Sequence, residues 1–147
     1  MASRLCVTSF TDFLTEGEDN TRREELYMSL DLKITRCDGV MVVSCCGRVV
    51  FGEETTRLCR TVRDLLPESP QIVLDLRAVK YIDSSGLGAL IGLVTSARAL
   101  GGDVKLCDLS SRVQSLLQIT RLDTVIHTFA GQEEAISAFR RGAVAAA

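Results

Sequence analysis

The stretch QIVLDLRAVKYI, followed at once by DSSGLGALIGLV, constrains the fold more than any other part of the chain. Its first half is rich in Ile, Val and Leu and too short for a buried helix of ordinary length, so it reads as a strand covered on both faces. The second half places Leu87, Leu90, Ile91 and Val94 on one helical stripe, with Asp83, Ser84 or Ser85 as the cap and Gly101-Gly102 as the stop. A doubly covered strand feeding a helix implies layers of helix against sheet.

The flanking segments repeat that rhythm. LDLKITRC alternates apolar and polar residues, Asp38-Gly39 is a two-residue turn signal, and VMVVSCCGRVVF resumes strand composition, so the three form a β-hairpin. A helix follows with Leu58, Val62, Leu65 and Leu66 inward, closed by Pro67. After Gly102, DVKLCDLS reads as a strand and Ser110 caps a helix that turns Val113, Leu116 and Leu117 inward. TVIHTF reads as a last short strand and GQEEAISAFRR as a last helix. The order predicts an α/β fold, a mixed four- to five-stranded sheet with helices packed on one side, spanning residues 30–140. Residues 1–29 lack a sustained period and are expected to form a flexible extension with one short helix near Arg22 to Leu30. Met28 is an alternative translation start, and residues 141–147 are expected to be a disordered tail.

Composition removes several functions. The chain of 147 residues has a formal net charge of −2, so no basic excess points to nucleic acid and none to an anionic membrane surface. The longest apolar run, Leu87 to Val94, falls well short of the roughly 20 residues that span a bilayer. The N-terminus has no apolar core of signal-peptide type, and a cytoplasmic monomer is expected. Cys6, Cys37, Cys45, Cys46, Cys59 and Cys107 form no C-x-x-C pair and are read as reduced, mostly buried thiols; no metal or cofactor is expected.

Three chemistries are open to the Asp-Ser-Ser-Gly turn. A nucleophile elbow needs glycines two residues before and two after the serine, whereas Ile82 precedes Ser84 and Asp83 precedes Ser85 at that spacing. His127 is the only histidine, and it lies among Val125, Ile126 and Phe129, so the base of a triad is poorly provided for. A phosphate cradle is no better supported, because no Gly-rich nucleotide motif is present and no lysine lies between Lys80 and Lys105. Gly88 and Gly92, four residues apart, are explained by close packing of the helix on the sheet. The remaining reading makes Ser84 a substrate, displayed at a helix N-terminus where an added phosphate alters binding rather than fold.

From about Leu30 to Phe139 the chain resembles the STAS domain family of bacterial anti-sigma factor antagonists. The resemblance rests on D-S-S-G-L-G after a hydrophobic strand, with G-G and a further strand about fifteen residues later. It implies a non-enzymatic binding protein that holds an anti-sigma factor, itself a serine kinase of GHKL type, and is released when phosphorylated. On this resemblance Ser84 is the phosphoacceptor, Asp83 its acidic neighbour, Ser85 a capping residue, and a PP2C-type phosphatase the reset partner. The implied partner surface comprises Asp83, Ser84, Ser85, Gly86 and Leu87 with the nearby Val50, Phe51, Glu53 and Glu54. Switching members commonly carry G-E-[LIV]-D at the end of the second strand, where this chain has Arg48 and Val50. Glu53 and Glu54 either replace those acids or only complement a helix dipole. Other members of the family serve stressosomes or ABC-type lipid-transport systems, which are the alternative roles the resemblance allows.

Overall fold

Strands β1 (Leu30–Cys37) and β2 (Val40–Val49) close the expected hairpin around Asp38-Gly39, whose φ angles of 52° and 80° belong to a type I′ turn. The computed structural model describes residues 30–146, so the expected N-terminal extension, its short helix and the start at Met28 lie outside the described residues. Helix α1 (Glu53–Leu65) leads to β3 (Gln71–Ile82), then α2 (Ser84–Ala99), β4 (Asp103–Cys107), α3 (Ser111–Ile119), β5 (Thr128–Phe129) and α4 (Gln132–Ala146). The sheet runs β1-β2-β3-β4-β5, antiparallel between β1 and β2 and parallel at every later pairing. This is the mixed five-stranded sheet that the sequence predicts.

The helices, however, do not share one side. Met41, Val43, Ile72, Leu74, Val104 and Leu106 pack with α1, α2 and α3 in the main core, whereas Val40, Val42, Val73 and Cys107 meet Ala135, Ile136 and Phe139 of α4. Alternate residues of a strand face opposite ways, so α4 covers the second face. The nearly continuous burial of β2 and β3 follows from that double cover. Lys105 is only 8% exposed and lies 4.8 Å from the centre of the Phe139 ring, which adds a cation–π contact to the α4 interface. α4 also continues through Ala146, across residues expected to be a disordered tail.

Three details of the helix ends complete the frame. Gly101, at φ 85°, and Gly102 end α2 in a Schellman motif, with their N–H groups donating to the carbonyls of Arg98 and Ala97. Ser110 caps α3 by accepting from Val113 N. The expected strand TVIHTF shrinks to Thr128–Phe129, because Leu122–Thr124 forms a 3-10 turn entered through Arg121 at φ 62°. Cys45, Cys46, Cys59 and Cys107 are free thiols, while Cys37 is disulfide-bonded, a departure from the reduced state expected of all six. No helix among the described residues is long and apolar enough to cross a membrane.

Candidate functional site at the head of helix α2

β3 ends at Ile82, and Asp83 turns the chain into α2 from an extended conformation with φ −99°. Its Oδ1 accepts from Gly86 N at 2.8 Å, which makes Asp83 the N-cap rather than Ser85, the residue expected there. Its Oδ2 accepts from Phe51 N at 2.9 Å, and its own N–H donates to Val49 O at 3.3 Å. One carboxylate therefore fixes the β2–α1 loop against the β3–α2 turn. The N–H groups of Phe51 and Gly86 hold the Asp83 carboxyl below the usual carboxylate range.

Gly86 provides the close approach expected of Gly88 and Gly92. A Cβ on Gly86 would lie 2.3 Å from Val49 O and 2.8 Å from Ile82 Cγ2, whereas one on Gly88 or Gly92 would meet nothing within 4 Å. The head of α2 thus rests directly on the end of β2.

With Asp83 and Gly86 fixed, the two serines occupy the first turn of α2 and diverge. Ser84 is exposed and opens on a groove of about 760 Å³ between α2 and α3, lined by Tyr81, Leu87, Arg112, Leu116 and Ile119 among others. Ser85 is half-buried and lines a different cleft, beside α1, with Thr55, Thr56, Arg60 and Arg63. The groove beside Ser84 is largely apolar, and Ile119 within it is 79% exposed; Phe51, on the loop tied to Asp83, is 80% exposed. Large apolar side chains left open to this degree mark an interaction surface when they gather around one point. Arg112 and Ile119 escaped the sequence reading and Leu116 was assigned to the core, although Ile119 falls off the inward stripe of its helix and so carried the signal.

The remaining expected site residues divide. Leu87 joins the groove beside Ser84, while Val50 is half-buried and follows β2 directly. Glu53 and Glu54 stand in the first turn of α1 and line a small cleft with Leu30 and Arg57, away from the Ser84 groove. Glu54 lies 3.7 Å from Arg48, so the basic residue in place of the usual acid is itself paired. His127 lies 3.2 Å from Lys105 Nζ, and Lys105 pairs in register with Val73, at the opposite end of β3 from Ser84. Val73 and Ile82 are separated by roughly 30 Å of strand, so the serine and the histidine of a hydrolytic pair are not assembled.

The STAS domain model of known families matches residues 31–135. The chain belongs to the STAS domain family. Among curated relatives of this STAS domain, the anti-sigma-B factor antagonist of Bacillus subtilis is 33% identical over 107 residues, 72% of this chain and 96% of that protein. The anti-sigma F factor antagonist of Paenibacillus polymyxa is 26% identical over 113 residues, 75% of this chain and 95% of that protein. The crystal structure of an anti-sigma factor antagonist from Mycobacterium paratuberculosis shares the fold with a TM-score of 0.67 at 24% identity, covering 76% of this chain and 95% of that one. In this STAS domain the Asp83-Ser84-Ser85-Gly86 turn, on which the sequence resemblance rests, presents Ser84 to the groove.

Proposed function

We propose that this STAS domain is an anti-sigma factor antagonist that works by partner switching. The unphosphorylated domain binds an anti-sigma factor, a serine kinase of GHKL type, through the groove between α2 and α3 together with the Phe51 loop. Phosphorylation of Ser84 by that kinase releases it, and a PP2C-type phosphatase restores binding. The observation that carries the reading is the position of Ser84: exposed, in the first turn of a rigidly capped helix, and at the rim of an apolar groove.

The physical logic has two sides. A phosphoryl group adds about −1.5 to −2 charges, which the N-terminal dipole of α2 accommodates, so the fold survives. A partner seated on Leu87, Leu116 and Ile119 would have to desolvate the same charge, so the complex does not. Arg112, also on the groove, is the basic residue of its lining that would complement a phosphate in the free protein.

The test is binding to the cognate anti-sigma factor by Ser84→Ala and Ser84→Asp. Ser84→Ala is expected to bind as the wild type does and to resist release by ATP, and Ser84→Asp to lose binding. Equal binding by Ser84→Asp and the wild type would remove the switch.

A further inference from the structure

Away from Ser84, the carboxyl ends of β4 and β5 open on a cavity of about 680 Å³ whose lining includes Arg77, Asp108, Ser110, Thr128 and Glu134. Asp108 of this lining belongs to a buried polar cluster drawn from β3, the end of β4 and α4. Asp75 of β3 pairs in register with Cys107 of β4, Asp108 follows with φ 56°, and Gln132 opens α4. Donor atoms of Asp75, Cys107 and Asp108 all lie within 4.8 Å of one another, and Gln132 Nε2 donates to Asp75 Oδ2 at 2.6 Å. Asp75 is 1% exposed, Cys107 0% and Gln132 6%.

The hydrogen bonds leave a definite remainder. Asp75 Oδ1 accepts from Arg77 N at 2.9 Å, and Asp108 Oδ1 faces the Arg77 guanidinium at 3.3 Å. Among the described residues, Asp108 Oδ2 and Gln132 Oε1 are both buried with no hydrogen-bond partner. Two buried orphaned oxygens on residues of one cluster are unusual, since buried acceptors in folded proteins are almost always satisfied.

We propose that Asp75, Cys107, Asp108 and Gln132 form a binding site for a divalent cation, zinc. The orphaned Asp108 Oδ2 and Gln132 Oε1 supply two oxygen ligands, Cys107 Sγ the third ligand and Asp75 the fourth. A thiolate in the set favours zinc over magnesium or calcium, which take oxygen alone. Ligands of tetrahedral zinc stand roughly 3.3–3.8 Å apart, so the three donors need to close by only about an ångström. Charge also balances, because zinc and the Arg77 guanidinium together offset two carboxylates and one thiolate. Formation of the zinc–sulfur bond releases the Cys107 thiol proton to the buffer. The cavity beside Asp108 is the entry path. A bound ion would join β3, β4 and α4, and so pin the helix on the second face of the sheet.

The full chain, stripped with a chelator and kept under a non-chelating reductant, is titrated with zinc and, separately, with cobalt. The expected result is one equivalent bound, a raised melting temperature and, with cobalt, a thiolate-to-metal charge-transfer band. Cys107→Ser should abolish the band, Asp108→Asn should weaken zinc binding by roughly tenfold or more, and Cys59→Ser should change neither. Absence of saturable binding, or wild-type affinity in Asp108→Asn, overturns the site. Asp108 borders the open cavity, so its variant decides the matter even if Cys107→Ser folds poorly.

Discussion

Asp83 carries more of the candidate site than either serine beside it. Its two oxygens receive N–H groups from Phe51, 32 residues earlier in the chain, and from Gly86 of its own helix. Removing a capping carboxylate costs about 0.5–2 kcal/mol, and the Phe51 N–H loses its acceptor as well, so Asp83→Ala should lower stability by about 2 kcal/mol in urea denaturation. The folded Asp83 carboxyl titrates below its unfolded value of about 3.9, so its stabilisation is complete above that pH and is lost as pH falls through the folded value. The stability gap between wild type and Asp83→Ala should therefore hold from pH 7 to 5 and narrow only below the ordinary carboxylate range, as pH falls toward the depressed folded value. Three good capping residues stood in a row in the sequence, and local preference could not choose among them. The choice was made by Phe51 N, a tertiary partner with no local signal. The glycines teach the same lesson. The spacing of Gly88 and Gly92 looks like a packing face, yet the crowding at Gly86 comes from Val49 on another strand. Gly86→Ala is expected to destabilise by about 1–3 kcal/mol through overpacking, and Gly88→Ala to stabilise by about 0.5–1 kcal/mol, as measured by thermal or urea unfolding.

Among the elements, those whose patterns are set by near neighbours were legible. β3 spans the very residues of QIVLDLRAVKYI, and the Asp38-Gly39 turn sets the register that pairs Cys37 with Val40. The side of the sheet taken by α4 was not legible, because a parallel strand buried on both faces has the same composition whichever helix covers which face. β5 was overestimated for a related reason: Val125 and Ile126 look strand-like, but the chain is still completing the 3-10 turn there. α4 is held by Ile136, Phe139 and the buried Gln132–Asp75 bond, and the Phe139 ring also covers Lys105. Phe139→Ala should cost about 3–5 kcal/mol and raise hydrogen exchange in α4 before it does so in α2.

For the whole molecule, the sheet acts as a rigid frame that brings β2, β3 and α3 to one end, where Ser84, the Phe51 loop and the α2–α3 groove meet. The D-S-S-G motif drew attention to Ser84, but the groove beside it required the fold, since Arg112, Leu116 and Ile119 are far along the chain and ordinary in composition. Phosphate at Ser84 should leave the melting temperature of the free domain nearly unchanged, because α2 offers it the favourable end of its dipole. On the proposed switch its effect belongs to the complex, where a charge buried without a partner costs 2 kcal/mol or more, roughly thirtyfold in affinity. The most direct measurement is the dissociation constant of the cognate anti-sigma factor for the chain phosphorylated at Ser84, compared with the unmodified chain. The account predicts weakening of roughly thirtyfold or more with the fold intact; equal affinity of the two forms would contradict it.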